Sequence, residues 1–192
     1  NLIKGYTIDQ DVSAQQYHNW KKADELFGHT KPIYTSMGDH DVVNMEFSDD
    51  SKYGLAVDNF PFDSQSSEAV FGHHFIHPDN GPKSEDGVDF DPYPERPDFP
   101  TYRENVYDYQ YNNLAVMVLN SSYWSTPSNK AIRQIGGNPP GYIMDMQLQW
   151  VKDKVSQFEK DQTVDHILVV LNSPLFPTNN IKGIWYNGNN MI

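Results

Sequence analysis

Gly38-Asp39-His40-Asp41 puts an imidazole between two carboxylates on a glycine turn. One carboxylate in such a turn takes a hard metal ion; the other orients the imidazole and raises its basicity. The histidine then serves as a general acid beside the metal. The plain alternative is a capped strand end with a solvated histidine. A second stretch is Leu171-Asn172-Ser173-Pro174, where an apolar run breaks at a side-chain amide. It places a ligand-capable group at a strand's carboxyl end, or is an ordinary strand stop. His73, His74 and His77 cluster as metal ligands do, but no carboxylate accompanies them at a matching spacing, and a lid loop is the competing reading. The stretch from Glu85 to Asp91 is rich in oxygen donors without calcium-loop spacing, and reads as a solvated loop. Asn120-Ser121-Ser122 is a formal glycosylation acceptor in a secreted eukaryotic setting.

The elements that must hold these groups follow from periodicity. Ser13-Ala14-Gln15-Gln16 reads as a capping box with Ser13 as N-cap. Tyr17, Trp20, Ala23 and Phe27 then recur at helical spacing, and Gly28 is a stop. Pro32 opens a short apolar run, Ile33-Tyr34-Thr35, predicted as a buried strand that ends at the Gly38 turn. Residues 44–112 are rich in Asp, Pro, Phe and Tyr and read as a long insertion or lid. Short strands are predicted there at Tyr53–Val57 and Val106–Tyr111. Leu114–Leu119 is a continuous apolar run of buried-strand type. Leu148, Val151, Val155 and Phe158 mark a helix, and Ile167–Leu171 a second buried strand. The order suggests an α/β sheet packed by helices in a single domain over 1–192, without internal repeats.

The 192 residues carry 14 Lys+Arg against 26 Asp+Glu, a net charge of −12, and no cysteine. The absence of cysteine excludes disulfides, thiolate zinc, iron–sulfur clusters and cysteine nucleophiles. The acidic balance argues against binding a nucleic-acid backbone, which needs excess Lys and Arg, and suits a holder of divalent cations. No run of about 18 apolar residues exists to span a membrane. Neither a phosphate-binding Gly-rich loop nor a Gly-x-Ser-x-Gly elbow is present. The start at Asn1 and the stop at Ile192 lead us to expect a fragment.

Four segments together resemble the calcineurin-like metallophosphoesterase superfamily, which includes purple acid phosphatases. Pro32–Asp41 is similar to the family's strand and Gly-Asn-His-Asp/Glu turn. Leu114–Asn120 is similar to its strand ending in Leu-Asn-Ser. Gly141–Val151 resembles its Gln-Leu-x-Trp-Leu helix, and His166–Pro177 resembles the strand that ends in a metal-ligand His. Two positions depart from the pattern: Asp39 stands where the family has Asn, and Asn172 where it has His. The early Asp-x-His and the late Gly-His-x-His motifs are not in the chain, and its one Gly-Asp pair, Gly38-Asp39, already belongs to the turn.

The resemblance implies a mixed β-sheet sandwich flanked by helices. It implies hydrolysis of a phosphate-ester small molecule or nucleotide at two divalent ions (Mn, Fe or Zn) with a bridging hydroxide. Asp39 and Asn172 would hold one ion, His40 would protonate or stabilise the leaving oxygen, and Asp41 would orient His40. Tyr53, Phe60, Phe62, Tyr93 and Tyr102 of the insertion would shape a substrate pocket, or simply pack. An extracytoplasmic location is expected, with the missing motifs on the rest of the polypeptide. Two alternatives stand beside this: a non-catalytic relative with a degraded metal site, used for binding or as a surface module, and an unrelated carbohydrate-binding or structural protein. The first reading requires Asp39, His40 and Asn172 to converge, with Asn172 no more than about 10 Å from Asp39, since each metal–ligand bond spans only about 2.0–2.6 Å.

Overall fold

The computed structural model describes residues 2–4, 7–50, 54–89 and 91–173. Its first element is helix α1, Gln10–Gly28. The predicted Ser13 cap is corrected: Asp9 is the N-cap, and its carboxylate takes the Asp11 N–H at 2.8 Å. Thr7 Oγ1 accepts from Asp9 N at 3.0 Å and fixes the entry. Ser13 instead lies fully buried on the inner face, next to the buried Tyr17. Trp20 packs on the same core cluster, whereas Leu26 and Phe27 project into solvent. The apolar stripe therefore extends past the part of the helix that the core covers.

Residues 32–38 form no strand, against expectation. The physical reason lies in where the backbone groups of Thr35 go. Its N–H meets His77 Nε2 at 3.2 Å, and its carbonyl accepts from the Tyr107 hydroxyl at 2.7 Å. Side chains therefore supply what a neighbouring strand would, and buried backbone polar groups need only one such supplier.

The stretch 44–112 holds more regular structure than its composition suggests. Strands β1, Asn44–Phe47, and β2, Leu55–Asp58, pair antiparallel with Asn44 opposite Asp58. Helix α2, Ser67–His74, is capped by Ser66, whose Oγ accepts from Ala69 N at 3.1 Å. It buries Val70 and Phe71 against Tyr17, Met37, Val42 and Val43. The strand expected at Tyr53–Val57 appears as β2; its first expected residue, Tyr53, lies outside the described residues. The strand expected at Val106–Tyr111 appears as β3, Tyr107–Tyr111.

β3, β4 (Leu114–Val118) and β5 (His166–Val170) form one mixed sheet in that order. β3 and β4 are an antiparallel hairpin; β4 and β5 run parallel, with Leu114 opposite His166 and Val118 opposite Val170. Between β4 and β5 come helices α3, Asn129–Ile135, and α4, Asp145–Phe158. α4 lays Trp150, Val151, Val155 and Phe158 onto Ala115 and Met117. Leu148, expected on that face, is exposed, and Gln147 is buried in its place. β5, predicted as a buried strand, is an edge among the described residues, so Ile167 and Leu168 stay exposed. With four helices and two small sheets among the described residues, the molecule is of mixed α/β class.

Candidate functional site

Parallel pairing sends β4 and β5 out of the sheet on the same side, and ligands of α/β sheets gather at such carboxyl ends. Asn120, Ser121 and Ser122 follow β4; Asn172 and Ser173 follow β5. The two turns are tied together, since Ser173 N donates to Ser121 Oγ at 3.2 Å. Gln147 of α4 clamps the first of them: Asn120 N donates to its Oε1 at 2.9 Å, and its Nε2 donates to the Asn120 carbonyl at 3.0 Å. Asn120 itself is fully buried, with its amide on Asn105 and Glu68, so the folded chain does not present it as a glycan acceptor.

The turn at 38–41 arrives beside this corner. Asp41 N donates to Gly38 O at 3.0 Å, and Gly38 N donates to Asp41 Oδ2 at 2.9 Å. Asp41 also accepts the Leu2 N–H at 3.2 Å and is completely buried. Burial pushes its carboxyl up, and the Gly38, Leu2 and Ile3 amides hold it down. Its task is therefore to staple the amino-terminal segment to the turn. The orienting partner of His40 is not Asp41 but the Lys4 carbonyl, 2.7 Å from Nδ1. That contact places the imidazole proton on Nδ1.

Asp39 meets Asn172: Asn172 Nδ2 donates to Asp39 Oδ1 at 3.1 Å, across 133 positions of sequence. Asp39 and Asn172 therefore converge as the shared-site expectation requires, and His40 follows Asp39 in the same turn. Their donors are a carboxylate and a side-chain amide, a hard oxygen set that suits one cation of the magnesium, calcium or manganese kind. Among the described residues, no second group of three acids or histidines close enough to hold the other ion of the expected pair lies at this turn. Among the described residues, the three-acid grouping close enough to hold an ion is Asp86, Asp91 and Asp98, in the loop before β3. Pro174 and the residues after it lie outside the described residues.

The other nominated residues have structural occupations. His77 is buried, donates from Nδ1 to the Glu104 carbonyl at 2.8 Å, and stacks on Tyr107 at 4.7 Å. Burial pulls its pKa down, so it stays neutral. His74 packs on Tyr17, and His73 lines a separate cleft under α2. Tyr102 is core rather than pocket wall: it stacks on Tyr123 at 4.0 Å and donates to Glu85 at 2.6 Å. Phe60 and Phe62 pack on each other, with ring centres 5.5 Å apart, and Tyr93 is exposed beside Arg96. Glu85, from the stretch predicted to be solvated, is fully buried and caps α4 by accepting the Met146 and Gln147 amides.

Three buried oxygen-bearing residues have no counterpart in the sequence patterns: Asn44, Asp58 and Glu68. No spacing singles them out. An acid in the first turn of a helix, as Glu68 is, ordinarily complements the dipole at the surface. The chain matches no family model, no curated protein and no solved structure.

Proposed function

We propose that this chain serves metal-dependent phosphoester hydrolysis as a relative of the calcineurin-like metallophosphoesterases, its three-stranded sheet being part of a two-sheet sandwich. The observation that carries the reading is the meeting of the 38–41 turn with the carboxyl end of β5, with Asp39 and Asn172 in contact at 3.1 Å. Asp39 and Asn172 would hold one divalent cation, which when bound supplies charge neutralisation and a polarised water for attack on phosphorus. A complete ligand shell needs donors besides these two. His40, with Nδ1 engaged by the Lys4 carbonyl, would give a proton to the leaving oxygen. Asp41 serves by holding the turn closed. The substrate is a phosphate-ester small molecule or nucleotide, and an extracytoplasmic location accompanies the reading.

The test is metal content and phosphatase activity on the same sample. Saturation with manganese, zinc or iron and removal of loose ions should leave one equivalent that Asp39→Ala abolishes. Hydrolysis of p-nitrophenyl phosphate should fall roughly a hundredfold or more in His40→Ala. Metal content that Asp39→Ala leaves unchanged overturns the reading.

A second reading rests on the same contact. An amide N–H on Asp39 Oδ1 takes a lone pair that a metal would use, so the turn is closed without an ion. In that case the chain is a non-catalytic binding or surface member of the same superfamily. No bound metal, together with a loss of stability in Asn172→Ala, selects it.

A further inference from the structure

Under α2, away from the strand-end turns, lies an arrangement of oxygens that lack partners. Asn44 and Asp58 face each other across the β1–β2 hairpin, so their side chains leave from the same face. Helix α2 sits on Asp58 through Ser67, whose N–H and hydroxyl both donate to Asp58 Oδ1, at 2.9 and 3.0 Å. Asn59 N adds a third donor at 2.8 Å. The next helical residue, Glu68, takes the Trp124 N–H on Oε1 at 3.0 Å and the Asn120 amide at 3.4 Å. Each carboxylate thus has one oxygen well served by donors, which favours the ionised form, but burial outweighs them and raises both carboxyls, Glu68 further through the adjoining Asp58. The other oxygen of each, Asp58 Oδ2 and Glu68 Oε2, meets no donor, and neither does Asn44 Oδ1. All three residues are at most 3% exposed.

Two ionised carboxylates buried side by side are very costly without a cation. No lysine or arginine among the described residues pairs with either acid; Arg103, on the adjoining cleft, pairs with Asp79. The titratable neighbours are Tyr17 and Tyr123, both raised by burial and by the charge of Glu68, and so neutral. Glu68 also forms part of the wall of an open cleft of about 520 Å³, with Asp63, Ser64, His73, Arg103 and Glu104 around it. The cleft wall carries three acids, Asp63, Glu68 and Glu104.

We infer that Asn44 Oδ1, Asp58 Oδ2 and Glu68 Oε2 form a structural site for a hard divalent cation, with calcium the best fit. An all-oxygen set of two carboxylates and one amide carbonyl is what calcium takes, with water from the cleft completing the shell. A single shared proton would leave one negative charge and the Asn44 oxygen unanswered.

The experiment is thermal unfolding of the full chain in chelator and in calcium, for wild type, Glu68→Gln, Asp58→Asn and Asp39→Ala. Calcium at a hundredfold excess over Kd should raise Tm by roughly 5–10 °C in wild type and in Asp39→Ala. The rise should vanish in Glu68→Gln and Asp58→Asn. Both are isosteric and keep an acceptor for Ser67, Asn59 and Trp124, and in chelator Glu68→Gln should unfold no lower than wild type. Two results overturn the site. One is a calcium response lost in Asp39→Ala but kept in Glu68→Gln, which assigns the ion to the strand-end turns. The other is a wild type indifferent to calcium whose stability rises as pH falls, which assigns a shared proton instead.

Discussion

The carboxylates of Asp86, Asp91 and Asp98 come within 4.8 Å of one another in a loop, while those of Asp58 and Glu68 meet beneath a helix. By count the loop is the more acidic place. In the loop, however, backbone and hydroxyl donors have taken the oxygens. Asp86 Oδ1 receives Asp98 N at 2.9 Å and Phe99 N at 3.2 Å, and its Oδ2 receives Ser84 Oγ at 2.6 Å. Asp91 receives Gly87 N at 2.9 Å and Tyr93 N at 2.8 Å. Asp86 and Asp91 staple a proline-rich segment to itself, and Asp98 Oδ1 is buried without a partner. Under α2 each acid keeps one oxygen unserved, and both are buried. A site for a cation is defined less by how many acids gather than by how many lone pairs the backbone has left and how dry they are.

The largest expected effect separates these regions directly. Asp58→Ala strands three buried donors and should cost about 3–5 kcal/mol in urea unfolding. A loss under about 1 kcal/mol would mean that the pair is not the buried hub described here. Asp86→Ala, in the stapled loop, removes three hydrogen bonds in a half-buried setting and should cost about 1–3 kcal/mol. It should leave the calcium response intact; if that response disappears, the loop is the cation site and the comparison reverses.

A third test is pH. Burial, then the charge of Asp58, holds the folded Glu68 carboxyl well above its ordinary 4.5. Between that value and the raised one, the folded chain keeps a proton that the unfolded chain has released. Metal-free stability should therefore fall as pH rises through this window, by at most about 1.4 kcal/mol per unit. Glu68→Gln should flatten the slope, and an unchanged slope would place the titration elsewhere. The smallest effect has the opposite sign. His77 is held below its ordinary 6.5 by burial, so the stability it contributes is complete above that value and is lost as pH falls through the lowered one. His77→Gln should remove this acid-side loss in a pH series of unfolding midpoints; a loss that persists would exclude His77 as its source.

What was legible depended on how much of an element's environment is local. The apolar run at Leu114 became β4 because a strand buried along its length must be continuously apolar, and the run at Ile167 became β5, which lies at the edge of the sheet among the described residues. α4 showed itself through Leu148, Val151, Val155 and Phe158, of which the last three pack on the sheet and Leu148 is exposed. The run at Ile33 misled because its backbone partners, His77 and Tyr107, are 42 and 72 positions away and are side chains. α2 went unseen because eight residues are too few for a clear period, although its Ser66 cap was in plain view. Gln147 belonged to a recognisable helix pattern, but its clamp on the Asn120 backbone is a fact of packing.

The sequence by itself determined the class of the fold, the turn that offers Asp39 and His40, and the strand end that offers Asn172. These follow from short-range chemistry: glycine at a turn, β-branched and aliphatic residues in a run, a breaker at its end. Only the tertiary structure decided that Asp39 and Asn172 touch, that Lys4 rather than Asp41 orients His40, and that Glu68 is a buried acid rather than a surface one. Charge, burial and partner supply are properties of what folds over a residue. An acid's letter is the same in the Asp86 loop and under α2, but its unserved oxygens are settled by chain segments far away in sequence.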